Sequence, residues 1–181
     1  LWRFDLSDAS PGSWSSRTLF AAGSSQPITA QPAITTHPLA TDVMAPSSSV
    51  LVLFGTGSYV SPDDLTDSDI QGIYAIWDNP ADTTTVPKSA LLQQTFSATI
   101  TQFDGTLWRE STSNPIDWGS NRGWYVNLLA NAATPSGPSE RVITSAKIID
   151  ANTGPGYRTA YGKDLWRAIF TTAISKTDPC S

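Results

Sequence analysis

Carboxylate side chains are concentrated in the polar stretch 61–70, which contains Asp63, Asp64, Asp67 and Asp69. Because hard cations take oxygen ligands, such a stretch is a candidate calcium site. Set against the twelve-residue EF-hand loop, Asp67, Asp69 and Asp78 fall at the first, third and twelfth positions. The fit is imperfect, since the fifth position holds Gln and the twelfth holds Asp instead of Glu. The alternative is a solvated acidic loop, because residues 73–77 have the pattern of a strand that would carry Asp78 away.

The chemistry available elsewhere is limited by a single histidine, His37, and a single cysteine, Cys180. A zinc site built from several His and Cys ligands is therefore excluded within this sequence. No Gly-x-Ser-x-Gly elbow accompanies His37, which precedes Pro38 in an extended stretch, so we expect a structural role for it. Glycosidase chemistry needs two carboxylates at a set separation, and no informative motif locates such a pair. We predict no catalytic residue in this chain.

Seven tryptophans could stack on sugars, because the indole ring is broad and rigid. The plainer interpretation is packing, since aromatic side chains bury large areas. We expect Trp2, Trp108, Trp124 and Trp166 to fill the space between neighbouring sheets.

The element that positions these residues is a strand, loop and strand at the centre of the chain. The apolar run 50–53 leads into Phe-Gly-Thr-Gly-Ser-Tyr-Val at 54–60, and a second β-rich run follows at 72–78. Gly55 and Gly57 allow unusual backbone angles and let a neighbouring segment approach closely. The pattern predicts a hairpin with a long polar connection.

The remaining segments also have the pattern of short strands separated by Gly, Pro and Ser turns. We predict strands at 1–6, 14–20, 123–128, 141–149, 157–161 and 165–172, and two strands within 89–103. The stretch 26–35 carries two prolines, so it should start a strand or lie at a sheet edge. Leu-Trp-Arg recurs at 1–3, 107–109 and 165–167, and a recurring aromatic signature is a mark of propeller blades. The predicted fold class is all-β, part of a β-propeller.

Composition narrows the class of partner. The 181 residues carry 11 Lys and Arg against 16 Asp and Glu, a formal charge of -5, and 45 Ser and Thr. Nucleic acid is excluded as an expected partner, because phosphate binding needs clustered basic residues. No apolar run approaches the roughly 20 residues of a membrane span. Hydroxyl-rich surfaces of this kind are common in secreted β-proteins.

The order and spacing of seven short motifs resemble the C-terminal β-propeller of PilY-type proteins, the tip-associated adhesins and assembly factors of bacterial type IV pili. The motifs are Leu-Trp-Arg-Phe-Asp-Leu at 1–6, Gln-Pro-Ile-Thr at 26–29, Phe-Gly-Thr-Gly-Ser-Tyr at 54–59, Gln-Gly-Ile-Tyr-Ala-Ile-Trp-Asp at 71–78, Gly-Trp-Tyr at 123–125, Glu-Arg-Val at 140–142, and Phe-Thr-Thr through Asp-Pro-Cys at 170–180. The resemblance covers nearly the whole chain, and we expect residues 1–181 to be a portion of a single propeller domain, truncated at both ends.

The resemblance implies a non-enzymatic scaffold that supports pilus biogenesis, surface adhesion and twitching motility through protein contacts. The implied partners are minor pilins, pilus tip proteins and the rest of its own chain, at the pilus tip or outer membrane of a Gram-negative bacterium. The family's calcium loop lies upstream of residue 1, so calcium is expected only in the full-length protein, with no cofactor within this chain. We expect Cys180 to form a disulfide with a residue outside it. The alternatives are a quinoprotein-like propeller enzyme and a carbohydrate-binding β-module.

Overall fold

A computed structural model describes residues 1–37, 49–103, 106–128, 139–150 and 166–173. The strands of these ranges are β1 (Trp2–Asp5), β2 (Ser15–Thr18), β3 (Ala33–Thr36), β4 (Val50–Gly55), β5 (Gly72–Asp78), β6 (Leu92–Gln94), β7 (Phe96–Phe103), β8 (Thr106–Ser111), β9 (Gly123–Asn127), β10 (Arg141–Val142), β11 (Lys147–Asp150), β12 (Trp166–Ile169) and β13 (Thr172–Ala173). Three short 3-10 helices, Pro11–Ser13, Pro62–Leu65 and Lys88–Ala90, are the only helices in these ranges. None of them is long and apolar enough to cross a membrane. The predicted all-β class is confirmed.

The largest sheet has five strands in the order β3-β4-β5-β9-β6. Its pairs are antiparallel except for β6 and β9, which run parallel. The predicted central hairpin is the β4–β5 pair, with Val50 opposite Asp78 and Gly55 opposite Ile73. Within the predicted stretch 26–35, the strand begins only at β3, directly after Pro32, and β3 forms one edge of the sheet.

Both faces of the five-stranded sheet are buried, which explains why β4 and β5 are almost continuously apolar. Val52, Phe54, Tyr74 and Ile76 pack with Phe20 on one face. On the opposite face lie Leu51, Leu53, Ala75 and Trp77, which the β11–β12 hairpin helps to cover through Ile148 and Ala168. One face of the central hairpin is thus covered by residues outside the strands and the other by the β11–β12 pair, so the hairpin is enclosed on both sides.

Smaller antiparallel pairs surround this sheet: β1–β2, β7–β8, β10–β13 and β11–β12. Asp78 at the end of β5 joins the β1–β2 pair to this sheet, because it accepts hydrogen bonds from Arg17 at 3.0 Å and from Arg3 at 3.5 Å. Arg17 also donates to the carbonyl oxygen of Thr84 at 3.1 Å. Two strands occur within 89–103 as predicted, namely β6 and β7.

Two strand predictions were wrong in detail. Residues 141–149 form two strands, β10 and β11, because the amide of Val142 donates to the carbonyl oxygen of Thr56 at 3.0 Å and so ties β10 to the central hairpin. Residues 165–172 are likewise divided, since β12 pairs with β11 while β13 pairs with β10. The strand predicted at 157–161 lies outside the described residues.

The packing role predicted for Trp2 is also wrong, since this residue is 62% exposed. Side chains alternate along β1, and Arg3 points toward Asp78, so Trp2 lies on the opposite face of the strand. Trp124 does pack between layers, against the clusters on one face of the main sheet. The side chains of Trp108 and Trp166 lie outside the described residues.

Candidate functional site

The guanidinium of Arg141 is fully buried. Its Nη1 donates to the carbonyl oxygen of Ser58 at 2.8 Å and also to that of Asp64. Its Nη2 donates to the carbonyl oxygen of Asp67 at 2.8 Å, and Nε donates to Ser139 at 3.3 Å. Three main-chain carbonyl oxygens of the acidic loop therefore lie around one buried cation. With the carbonyl of Ser139 they accept from four of its five N–H groups, and none of these four acceptors is a carboxylate.

The glycines of the central motif make this arrangement possible. A Cβ on Gly57 would lie 2.3 Å from the Cβ of Arg141, and a Cβ on Gly55 would lie 2.2 Å from that of Val142. Gly57 also has φ +130, a conformation that side chains rarely adopt. The predicted close approach to Gly55 and Gly57 is confirmed, and the approaching segment is β10.

Asp64 fixes the same loop from within. Its Oδ2 accepts from the amides of Val60 at 2.8 Å and Ser61 at 2.9 Å, and from the Ser58 hydroxyl at 3.0 Å. These hydrogen bonds, led by the Ser61 amide, lower the pKa of Asp64 to about 2. Asp64 is thus a capping residue of the helix Pro62–Leu65 and stays ionised in ordinary buffers.

The three calcium candidates do not come together. Asp67 Oδ1 accepts from the Asp69 amide at 2.8 Å, so these two share the loop. Asp78 lies at the far end of β5, about 20 Å along the strand from its start. There it is paired with Arg3 and Arg17. Within the part of the chain that the structure describes, no three His, Cys, Asp or Glu residues are grouped as a metal site.

His37 lies in the core, as expected of a structural residue. Its ring is 4.5 Å from that of Trp77 and 4.3 Å from that of Trp118, measured between centroids. Burial in this aromatic surrounding lowers the pKa of His37 to about 4, because the charged imidazolium is poorly solvated there. Cys180 lies outside the described residues, and its disulfide stays a prediction.

A cleft of about 510 Å³ opens on the face of the main sheet that carries Leu53, Ala75 and Trp124. Its mouth is lined by hydroxyl and amide groups, including Thr112 and Asn114. The volume is within the usual range for small-molecule sites. None of its described lining residues is titratable, so these residues can bind an apolar group but cannot transfer a proton to it.

Sequence reasoning did not assign a role to Arg141, although the Glu-Arg-Val motif contains it. The signal available was indirect: two closely spaced glycines that admit a neighbouring backbone. The identity of that neighbour could not be inferred, because Ser58 and Arg141 are 83 positions apart in the chain.

The sequence of this chain is similar to that of known proteins. Residues 1–104 match the family model described as the PilY1 β-propeller domain. Two curated relatives from Xylella fastidiosa, each named a type IV pilus biogenesis factor PilY1 homolog, are 28% identical over 150 residues and 30% identical over 148 residues. These alignments cover 76% and 80% of this chain, but the chain spans only 10% and 11% of the relatives' length.

A solved structure is similar as well. The crystal structure of the Pseudomonas aeruginosa PilY1 C-terminal domain superposes with a TM-score of 0.55 and 25% sequence identity, covering 77% of this chain and 33% of that domain. The all-β architecture described above is accordingly part of a β-propeller. By the match over residues 1–104 and by these relatives, the chain belongs to the PilY1 β-propeller family.

Proposed function

We propose that this chain is a non-enzymatic part of a pilus-assembly scaffold, which acts through protein contacts to support type IV pilus biogenesis, adhesion and twitching motility. The observation that carries the proposal is the shared family with two relatives whose printed names are type IV pilus biogenesis factor PilY1 homologs. Because the chain spans about a tenth of those relatives, the function belongs to the full-length protein.

In the described residues, charged side chains hold structural elements together, which supports a scaffold role. Asp78 joins the β1–β2 pair to the main sheet, and Asp82 pairs with Arg122 at 3.1 Å. Arg141 and Asp64 organise the loop after β4 from the inside. Such interactions fix geometry, and a rigid propeller then presents its loops to partners.

The partners that we propose are minor pilins, pilus tip proteins and the remainder of the polypeptide, at the pilus tip or outer membrane of a Gram-negative bacterium.

For the calcium expected in the full-length protein, we propose ligands outside this chain, since Asp78 is far from Asp67 and Asp69. The variant Asp67→Asn/Asp69→Asn should then leave the calcium affinity of the full-length protein unchanged, as measured by calorimetric titration. A lost binding site in that variant would contradict this assignment.

Deletion of the gene followed by complementation tests the function. Cells that lack the protein should carry fewer surface pili in electron micrographs and make smaller twitching zones, and the full-length protein should restore both. Normal piliation in the deletion strain would contradict the proposal. A bound quinone chromophore in the absorbance spectrum of the purified full-length protein would favour an enzyme instead.

A further inference from the structure

The loop between β4 and β5, residues 58–70, presents apolar side chains to solvent although it is firmly held from within. Four of its side chains are exposed: Tyr59 by 41%, Val60 by 84%, Leu65 by 37% and Ile70 by 52%. Exposed apolar residues scattered singly need no explanation, but four within one loop of thirteen residues make that loop a candidate contact surface.

The main chain of this loop is turned inward. Besides the carbonyl oxygens that Arg141 binds, the carbonyl of Asp69 accepts from Gln71 at 3.1 Å and from the Ser139 hydroxyl at 2.6 Å. The carbonyl of Ile70 accepts from Gln26 at 2.7 Å. Since these polar backbone atoms face the protein, the loop keeps one shape without a partner. A preformed surface loses little conformational entropy on binding.

The charge around the exposed apolar side chains is negative. Asp63 and Asp69 are exposed, and no Lys or Arg of the described residues forms an ion pair with either carboxylate. The cation in contact with the loop, Arg141, is fully buried and does not present its charge to a partner. The loop therefore exposes both apolar side chains and two carboxylates.

Resting on the proposed function, we propose that loop 58–70 is a preformed docking surface for a protein segment that carries both basic and apolar side chains. Complementary charge favours such a segment over other occupants. Anionic lipid head groups and nucleic-acid phosphates would be repelled by Asp63 and Asp69. A second copy of this chain, with a formal charge of -5, would bring the same acidic loop against itself.

Peptide binding to the purified full-length protein tests the surface. The probe is a fluorescent peptide of alternating Lys and Val, Ile or Leu, followed by anisotropy. The controls are a Lys–Ser peptide and a Glu peptide with the same apolar residues. We expect the Lys–apolar peptide to bind, more weakly as salt rises, and Val60→Ser/Ile70→Ser to weaken it about tenfold through loss of apolar contact.

The matched control is Ile34→Ser, since Ile34 on β3 is 65% exposed, between Ile70 and Val60, but lies off the loop. It should leave peptide affinity unchanged, and all variants should keep the melting temperature of the parent. Equal binding of the Lys–Ser peptide, or an unchanged affinity in Val60→Ser/Ile70→Ser, would overturn the proposal.

A second readout tests whether the protein's own chain covers the loop. In the folded full-length protein, Val60→Cys should react with a maleimide as fast as Ile34→Cys, after subtraction of the native thiols. Protection of Val60→Cys that disappears on denaturation would overturn the docking surface. The pilus count separates the two hypotheses: a deletion strain with normal pili contradicts the proposed function, whereas peptide binding still decides the surface.

Discussion

At the scale of single residues, Arg141 joins the β10 strand to the loop after β4 through three carbonyl oxygens of that loop. A guanidinium can satisfy several carbonyl oxygens at once because its N–H groups diverge in one plane. Lys has three donors on a single nitrogen, and Met has none. The loop after β4 therefore depends on the shape of this side chain as well as on its charge.

Replacement of Arg141 by Met should leave the carbonyl oxygens of Ser58, Asp64 and Asp67 buried without a donor. We expect a local cost of about 3 kcal/mol, or roughly hundredfold faster amide hydrogen exchange in residues 58–67. Exchange measured by mass spectrometry on the full-length protein reports it, and Arg141→Lys should give an intermediate rate. Parent-like exchange in Arg141→Met would show that the loop is held by other contacts.

His37 predicts a pH dependence of stability. Its pKa is about 4 in the folded protein and 6.5 without the surrounding fold, so the unfolded chain takes up the proton first as pH falls. The contribution of His37 to the free energy of unfolding is therefore fully present above pH 6.5. About 3 kcal/mol of it should be lost as the pH falls from 6.5 to 4. Asp64, with a folded pKa of about 2, loses its contribution only below its ordinary pKa of 3.8.

Thermal melting of the full-length protein at a series of pH values measures this effect. His37→Phe keeps an aromatic ring between Trp77 and Trp118 but cannot be protonated. Its melting temperature should fall less between pH 6.5 and 4 than that of the parent. Identical pH profiles for parent and variant would mean that another group controls the transition.

At the scale of elements, the β1–β2 pair is attached to the main sheet through Asp78. Asp78→Asn should weaken its ion pairs with Arg3 and Arg17, by about 1 kcal/mol because all three side chains are partly accessible to water. Amide exchange in residues 2–5 and 15–18 should rise several-fold. Asp82→Asn is the matched control, since it breaks the pair with Arg122 instead and should leave β1–β2 unchanged.

The strands could be predicted from the sequence where a local run of apolar residues or a proline determines them. The apolar runs of β4 and β5 indicated a hairpin, and the prolines at 27 and 32 indicated a strand start or a sheet edge. The division of 141–149 could not be predicted, because Val142 is tied to Thr56 by contacts distant in sequence. The placement of Asp78 followed from the strand pattern of 73–77, whereas its pairing with Arg3 and Arg17 did not.

At the scale of the whole molecule, the described strands form part of a β-propeller. Both faces of β4 and β5 are covered, and within the described ranges no three His, Cys, Asp or Glu residues are grouped as a metal site. The acidic overall charge agrees with a surface that attracts basic protein segments. We predict that pilus assembly depends on the fold of this part of the protein.

Substitutions of Gly57 and Gly12 test directly whether pilus assembly depends on the fold of this part of the protein. Gly57→Ala forces a Cβ against Arg141 at an unfavourable φ, so it should destabilise this region by about 3 kcal/mol or more, whereas Gly12→Ala has nothing within 4 Å. Each full-length variant is expressed in the deletion strain, and surface pili are counted per cell. We predict that Gly12→Ala restores the pili and Gly57→Ala does not, with the lower melting temperature of Gly57→Ala confirmed on purified protein. Full piliation by a destabilised Gly57→Ala protein would show that pilus assembly does not depend on the fold of this region.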